Sequence, residues 1–515
     1  MIKKKISNNK HFNKNKTLSN CFLVSRGRYL NDICNIFGIL AANQILNLKT
    51  FVISDFRQKN YNEFFLRFGL KKFIYIHSYK KIYIDILLNI KTLIKSIISF
   101  YKLNKYGFYW FINDFKLNNI KIGDLIYDTY TRKKHRYLMP KKDIYFFKIL
   151  FEGIFRLLKL INAVNHYKPK LIFIGTNGYS YNDGLLMRIG LSHKIHTLEV
   201  QPHFLIKSEQ FQTNYGRDYL KFASNFIQNI KQKKINKHYL NRKKLRINPH
   251  YTDTYFVANK FKKETNVKNF LKIFKNDYKK KILIAPHSFS DAPHINGKLI
   301  FEDFYSQFVE TLKFINKNKN EKILWIIKHH PGNFIYNENK IFKNIVSKYL
   351  AENIILCPKK INTNDLIPLC DHVITTNGSI GIEFACEGKI PILGGFAPYS
   401  NLGFTFDPKN KKHYFRTLDK IHKLKNLDNK QILVAKKALY FLDTANYKNH
   451  LKKSKILDFD NFFKSYNKGL LKNKFISGQK IFIKNSFKNL KKNKITNDPY
   501  FISIKNCLEN YLNNG

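Results

Sequence analysis

Four short segments in the second half of this 515-residue chain carry side chains suited to phosphate binding and acid–base chemistry. They are residues 286–294 (PHSFSDAPH), 328–331 (KHHP), 377–383 (NGSIGIE) and 394–403 (GGFAPYSNLG). Each follows a short apolar run that predicts a buried strand. Because the carboxyl ends of parallel strands share one edge of a sheet, we expect the four segments to converge there.

The third segment has the features of a phosphate site. A turn at Asn377 and Gly378 would present backbone N–H groups and a helix N-terminus over the crevice, where phosphate is favoured. Ser379 adds a hydroxyl group there. Glu383 lies one turn further along the same helix face, where its carboxylate could accept hydrogen bonds from a ribose diol. In the structural alternative Ser379 is an N-cap and Glu383 offsets the helix dipole.

The other segments add complementary groups, each with a structural alternative. His330, held by the following proline, can hydrogen-bond or charge-pair with a phosphate oxygen, or be purely structural. Lys328 can add positive charge or end the strand in solvent. Gly395 allows a ligand to approach the backbone, or makes a tight turn. Asp291 is a candidate general base toward an acceptor hydroxyl, or the start of an Asx-turn.

The elements that must position these residues alternate regularly from residue 281 onward. We predict strands at 281–285, 322–327, 353–357, 372–375 and 390–393. Helices are predicted between them near 302–318, 337–350, 363–370 and 379–387. Short apolar strands that alternate with helices are typical of a parallel, doubly wound sheet.

The first half repeats the pattern less clearly, with strands predicted at 21–25, 51–54, 171–174 and 197–200 and helices at 31–48 and 183–190. Polar groups after the last two strands lie where a two-lobed enzyme would bind an acceptor. These acceptor-side candidates are Asn177, Asp183, Gln201 and His203. Between residues 61 and 160 the pattern predicts no topology except an amphipathic helix at 85–101. Its apolar stripe is expected in the core, with a membrane-facing or acceptor-facing surface as the alternative.

The predicted fold is therefore α/β, with two Rossmann-like, doubly wound lobes that face a central cleft. We expect a basic arm (1–19), a first lobe on the acceptor side (20–265) and a second lobe on the donor side (266–425). A helical segment rich in Lys and Asn (426–515) follows.

Composition narrows the classes of partner. The formal net charge of +57 attracts polyanions. The sequence contains no RNP-like, zinc-finger or basic heptad pattern that would indicate a nucleic-acid partner. An anionic membrane surface is therefore the better explanation of the positive charge. No charge-free run is long and apolar enough to cross a bilayer, which favours the cytoplasm.

The six cysteines form no CxxC pair. We expect neither a cofactor nor a metal, because these candidate ligands lack a recognisable spacing: His287, Asp291, His294, His329 and His330.

Residues 281–408 also resemble a known family through the motifs APHSFSDAPH, KHHPG and TTNGSIGIEFACEGKIPILGGFAPYSNLGFTFDP, in that order. They are similar to the bacterial capsule polysaccharide biosynthesis family, cytoplasmic glycosyltransferases of the GT-B type. That family is related to Kdo transferases and more distantly to HP-motif sialyltransferases. The resemblance implies a nucleotide-sugar donor in the second lobe, with His330 and Ser379 at its phosphate, Glu383 at the nucleotide and Asp291 as base. Kdo transferases are more acidic where this chain has SFSDAPH, and the HP motif favours a CMP-sugar.

The leading hypothesis is a metal-independent, inverting glycosyltransferase that builds a capsule, lipopolysaccharide or other surface glycan. It would work in the cytoplasm, in contact with the inner face of the plasma membrane. If Asp291 is not the base, Asp183 or His203 would take that role. One alternative is a polyol-phosphate transferase that uses a CDP-alcohol. Another is a non-catalytic basic scaffold that holds glycan or lipid intermediates at the membrane.

Overall fold

The structure is a computed structural model. It describes residues 18–25, 29–55, 64–76, 86–134, 143–175, 178–201, 205–206, 230–247, 278–295, 297–318, 322–334, 336–358, 361–445, 451–457, 459 and 495–514. The basic arm predicted at 1–19 lies almost entirely outside these ranges.

The first lobe is built on a six-stranded sheet. Its strands, with a small hairpin formed by the fourth and fifth, are β1 (Ser19–Val24), β2 (Leu48–Ser54), β3 (Lys72–Tyr75), β4 (Lys116–Leu117), β5 (Ile120–Lys121), β6 (Leu171–Ile174), β7 (His196–Val200) and β8 (Leu205–Ile206). The order is β3-β2-β1-β6-β7-β8, and only β8 runs antiparallel to its neighbour. The apolar run of β1 is buried on both faces, as a central parallel strand requires.

Helices cover both faces of this sheet. They are α1 (Tyr29–Ile45), α2 (Ile86–Asp114), α3 (Gly123–Lys134), α4 (Ile144–Tyr167) and α5 (Asn182–Ser192). One core joins Phe22 and Ile172 to α2, α3 and α4, and the other joins Leu23 and Phe173 to α1. Neighbouring residues of one strand thus serve opposite cores, because side chains alternate across a strand.

The second lobe has a five-stranded, fully parallel sheet preceded by the basic helix α6 (Gln232–Ile247). Its strands are β9 (Lys280–Ile284), β10 (Ile323–Lys328), β11 (Ile354–Cys357), β12 (His372–Thr375) and β13 (Pro391–Leu393). They are arranged in the order β11-β10-β9-β12-β13. The helices of this lobe are α7 (Phe304–Lys317), α8 (Asn339–Val346), α9 (Thr363–Leu366), α10 (Ile380–Cys386), α11 (Lys411–Asp419) and α12 (Asn429–Tyr440).

The last helix, α13 (Pro499–Asn514), returns to the first lobe. The rings of Tyr500 and Phe501 lie 5.7 and 6.3 Å from the ring of Phe37 on α1. The hydroxyl of Tyr500 donates to the carbonyl of Gln201 at 3.0 Å. Helix α13 therefore packs on α1 as part of the first lobe.

The carboxyl ends of the two sheets meet at the boundary between the lobes. A side chain at Gly178, after β6, would lie 3.2 Å from Ala292, after β9. A buried hydrogen-bonded pair also crosses the boundary, because the Nδ1 atom of His294 lies 2.6 Å from Oδ1 of Asp128 on α3. Both sets of strand-end loops consequently face one cleft.

The structure confirms the predicted two-lobed, doubly wound α/β fold, and the second-lobe strands agree with their predicted positions to within a residue or two. Two features differ from the predictions. The antiparallel strand β8 was not predicted, because two residues carry no periodic signal. Helix α2 extends the predicted 85–101 helix to Asp114, and the apolar stripe from Leu87 to Ile98 faces solvent rather than the core, whereas Leu103, Phe111 and Ile112 are buried. None of the described helices is long and apolar enough to cross a membrane.

Candidate active site

His330 lies directly after β10, beside the loop that follows β9. Its Nδ1 atom accepts a hydrogen bond from the backbone N–H of Gly332 at 3.1 Å and lies 2.7 Å from the hydroxyl oxygen of Ser288. Because Nδ1 is an acceptor, the proton of the neutral ring resides on Nε2. No hydrogen bond joins Nε2 to any described residue. The half-buried ring therefore offers an N–H donor to a ligand.

The surroundings of His330 keep it uncharged. Burial, with His287 and His329 nearby, lowers the pKa of His330 well below its usual range. The His287 ring stacks on it with centroids 4.8 Å apart and planes at 23°. The neighbouring His329 ring packs edge-on against Phe342 in the core. The two histidines of the KHHP motif thus have different surroundings: His329 packs against a core phenylalanine, and His330 stacks on His287 beside the loop after β9.

The loop after β9 is held by a buried carboxylate. The Glu338 oxygens accept hydrogen bonds from the backbone N–H groups of Phe289 and Ser290 at 2.8 and 2.9 Å, and from the Ser290 hydroxyl at 2.7 Å. Burial raises the pKa of Glu338 to about 7, although these hydrogen bonds oppose the shift. Glu338 is a positioning residue, since it orients the loop that carries Ser288 and Asp291.

Asp291, the candidate base, is bound by one neighbour at the lobe boundary. The phenol of Tyr336 donates to Oδ1 of Asp291. The guanidinium carbon of Arg132, on α3 of the first lobe, lies 4.1 Å from the centroid of the Tyr336 ring. The Nη1 atom of Arg132 is buried and has no hydrogen-bond partner among the described residues. Asp291 therefore lies where the lobes meet, next to a cation supplied by the first lobe.

The turn after β12 combines a buried amide with an exposed hydroxyl. Both side-chain polar atoms of Asn377 are buried, and neither has a hydrogen-bond partner among the described residues. Ser379 is exposed and makes no capping hydrogen bond. The Tyr399 phenol donates to the carbonyl of Gly378 and so holds the turn from behind. A buried amide without a protein partner costs about 1–3 kcal/mol, so it is expected to bind a ligand or water.

Glu383 is buried one turn along α10 and is paired with a cation. Its Oε1 lies 3.2 Å from Nη2 of Arg242 on α6, and the other terminal nitrogen of that guanidinium bonds Asp443. A nucleotide at Glu383 would thus share the carboxylate with Arg242. Glu383 is thus paired with Arg242 on the basic helix α6. The structural alternative, in which Glu383 only offsets the dipole of its own helix, did not predict this ion pair.

Two predicted donor residues have clear structural contacts. The Lys328 amine donates to the carbonyl of Ile361 at 2.7 Å, and burial lowers the pKa of Lys328. Gly395 packs so closely that a Cβ atom there would collide with Leu299, and it also lines a cavity of about 660 Å³ at the lobe boundary. These contacts give Lys328 and Gly395 structural roles that need no bound ligand.

Of the four acceptor-side candidates, the two that the structure describes, Asp183 and Gln201, also make structural hydrogen bonds. Asp183 is buried and accepts a hydrogen bond from the backbone N–H of Gly175 at 2.9 Å. The side-chain nitrogen of Gln201 donates to Glu199 at 2.8 Å. Both side chains organise the turn after β6 and the end of β7. Asn177 and His203 lie outside the described residues.

Five residues at this site were missed by the sequence analysis. They are Arg132, Arg242, Ser288, Tyr336 and Glu338. Ser288 stands inside the PHSFSDAPH motif, which was a usable signal. The other four come from segments with no motif. Within the described ranges no group of three His, Cys, Asp or Glu side chains is arranged to hold a metal ion.

Two parallel α/β sheets with polar residues gathered where their carboxyl ends meet define a protein of two Rossmann-like lobes. Residues 130–440, more than half of the chain, match the family described as "Capsule polysaccharide biosynthesis protein". The chain therefore belongs to the capsule polysaccharide biosynthesis protein family. No curated protein matches it in sequence.

Several solved structures are similar in part. KpsC from Thermosulfurimonas dismutans, a beta Kdo 2,4 transferase, is 13% identical over 52% of this chain and 79% of that chain, with a TM-score of 0.31. The beta Kdo 2,7 transferase of the same KpsC is 13% identical over 55% and 80%, with a TM-score of 0.26. UDP-GlcNAc 2-epimerase from Neisseria meningitidis is 10% identical over 83% and 99%, with a TM-score of 0.25. At such scores none of them defines this chain's function.

Proposed function

We propose that this protein is a glycosyltransferase that transfers a sugar from a nucleotide-activated donor to a capsule or other surface glycan. The observation that carries the proposal is the buried, unpartnered amide of Asn377 at the carboxyl end of β12, beside the exposed hydroxyl of Ser379. Two strands away, His330 offers its Nε2 proton. Adjacent strands are about 4.8 Å apart, so these donors span about 10 Å, which suits a nucleotide and its phosphate.

The donor groups favour departure of the nucleotide. As the bond between the anomeric carbon and the phosphate oxygen breaks, negative charge grows on the phosphate, and fixed hydrogen-bond donors stabilise it. His330 would act as a neutral donor, and Ser379 would add a hydroxyl. The Arg132 guanidinium supplies positive charge from the first lobe. The HP motif favours a CMP-sugar as the donor.

Asp291 is the base of this proposal. Its carboxylate would accept the proton of an acceptor hydroxyl, whose oxygen attacks the anomeric carbon while the nucleotide leaves with the bonding electrons. A single displacement of this kind inverts the anomeric configuration. In support, the Tyr336 phenol donates to Oδ1 of Asp291 and holds the carboxylate in place, so Oδ2 would be the oxygen that accepts the proton.

The test is a thermal-shift panel with CMP, CDP, UDP, GDP and dTDP on the wild type, on Asn377→Ala and on the matched control Asn344→Ala, which is exposed on α8. Because binding to the folded state raises the melting temperature, one nucleotide should stabilise the wild type and the control selectively. Asn377→Ala should lose that shift. Without ligand it should melt no lower than the wild type, since the change removes an unsatisfied amide.

Two results would contradict the proposal. An equal shift with every nucleotide, unchanged in Asn377→Ala and abolished by salt, would mean only that a chain of charge +57 attracts anions. That outcome favours the scaffold hypothesis. A phosphodiester product in place of a glycosidic one would identify a polyol-phosphate transferase instead.

A further inference from the structure

Helix α2 exposes most of its large apolar side chains in the turns before Gly107, where a φ of 81° interrupts it. Leu87 is 83% exposed, and five further aliphatic side chains, Ile90, Leu93, Ile94, Ile97 and Ile98, are between 45% and 53% exposed. We define the apolar stripe as the following residues of α2: Leu87, Ile90, Leu93, Ile94, Ile97 and Ile98. At 3.6 residues per turn, they fall on one side of the helix.

The opposite side of α2 is buried, and over the turns from Thr92 to Ser99 its fully buried residues are small and polar; the next buried residue on that side is Leu103. Thr92, Ser96 and Ser99 are 0–3% exposed. Their hydroxyl groups donate to carbonyl oxygens four residues earlier on the same helix, at 2.6–2.7 Å. Between Thr92 and Ser99 the helix thus turns small polar residues toward the protein, while the aliphatic residues of the stripe face outward. In a water-soluble helix the usual arrangement is the reverse, because burial of aliphatic surface drives packing.

Positive charge accompanies the stripe. Lys91, Lys95, Lys102 and Lys105 all belong to α2, and no Asp or Glu occurs in the helix before Asp114. On the helical wheel the first three form one row between the stripe and the buried face. The chain as a whole carries +57. Apolar residues beside lysines are typical of a helix that lies in the interface of an anionic bilayer.

We propose that the apolar stripe of α2 docks the protein on an anionic lipid bilayer, with the helix lying in the plane of the interface and the lysines on lipid phosphates. A second copy of the chain would be a poor occupant of this face, because it would bring two lysine rows and two chains of high positive charge together. An anionic bilayer supplies both the apolar medium and the opposite charge. This inference does not depend on the proposed transferase activity.

Docking would also place the lobe boundary beside the membrane. Tyr109, just after the break at Gly107, lines the cavity of about 660 Å³ together with Gly395 and Ser400. The amine of Lys298 lies 5.7 Å from the centroid of the Tyr109 ring. The docked face and this cavity are therefore joined by one helix.

The experiment measures binding of the full chain to vesicles by co-sedimentation. Vesicles of phosphatidylcholine alone are compared with an equal mixture of phosphatidylcholine and phosphatidylglycerol. Three proteins are compared: the wild type, the stripe variant Ile94→Glu/Ile98→Glu and the control variant Leu240→Glu/Leu350→Glu. The control removes two exposed aliphatic side chains and changes the net charge equally, but at other sites. Thermal melts check that all three are folded, which is expected because all four positions are exposed.

We expect the wild type and the control variant to bind the anionic vesicles alike, and the stripe variant to bind at least about tenfold more weakly. Equal binding by all three, or equal loss in both variants, would overturn the proposal, since charge alone would then explain binding. Analytical ultracentrifugation tests whether a second copy of the chain covers the apolar stripe instead of a bilayer. A wild-type dimer that the stripe variant converts to a monomer, with vesicle binding unchanged, would also overturn it.

Discussion

Replacing His330 by asparagine and by glutamine separates the two functions of its imidazole. The side-chain oxygen of His330→Asn can take the position of Nδ1, where it accepts from the backbone N–H of Gly332 and contacts the Ser288 hydroxyl, but no atom reaches the position of Nε2. The longer side chain of His330→Gln places its amide N–H near Nε2 and gives up the Nδ1 contacts. If Nε2 binds donor phosphate, asparagine should lose affinity, whereas glutamine should lose mainly stability.

The size of each effect follows from the contacts. A hydrogen bond to a charged group contributes about 1.5–3 kcal/mol, so His330→Asn should weaken nucleotide binding roughly 10- to 150-fold. His330→Gln loses the contacts with Gly332 and Ser288, each an uncharged hydrogen bond of about 0.5–1.5 kcal/mol. Its free energy of unfolding should therefore fall by about 1–3 kcal/mol, with nucleotide affinity largely kept.

Titration calorimetry with the stabilising nucleotide measures the affinities, and urea unfolding measures the stabilities. The ratio of wild-type to His330→Gln affinity should stay constant between about pH 8 and pH 6. Burial holds the pKa of His330 well below its usual range, so the wild-type ring remains neutral there. Titration of the ligand phosphate affects both proteins and cancels in the ratio.

Two outcomes would refute this reasoning. If His330→Asn bound the nucleotide as tightly as His330→Gln did, Nε2 would not contact the ligand. If the ratio rose as the pH fell, His330 would bind as a cation, and the tautomer argument from Gly332 and Ser288 would be wrong.

Three further predictions concern the same lobe. The pKa of Glu338 is about 7 in the folded chain and about 4.5 in the unfolded chain, so between these values the folded chain holds a proton that the unfolded chain releases. The free energy of unfolding of the wild type should therefore fall by roughly 3 kcal/mol as the pH rises from about 4.5 to about 7. Urea unfolding of Glu338→Gln should lack this pH-dependent component. Asp291→Asn should lower transfer about 10²–10⁴-fold in a product assay yet keep the nucleotide-induced thermal shift; equal loss of both would remove Asp291 as base. Gly381→Ala, whose Cβ would collide with the Tyr399 hydroxyl, should destabilise by about 1–3 kcal/mol, and adding Tyr399→Phe should recover part of it in a double-mutant cycle.

The sequence by itself determined the scaffold of the second lobe and one side of the candidate site. Leu171–Ile174 and His372–Thr375 were predicted with their observed bounds, because a buried parallel strand is a local apolar run bounded by turn residues. Convergence of the strand-end loops followed from the parallel order alone. His330, Asn377 and Ser379 could therefore be identified from the sequence alone, and their assignment to a donor remains a prediction.

Only the tertiary structure decided which groups surround those residues. Glu338 supports a loop almost fifty positions earlier in the chain, and Arg132 and Arg242 arrive from another lobe and from a separate helix. No motif marks them, because contacts between distant segments depend on packing and not on local periodicity. The same reason applies to α2. Its amphipathic pattern was visible in the sequence, but which side packs against α4 and which meets solvent depends on the neighbours that folding brings to it.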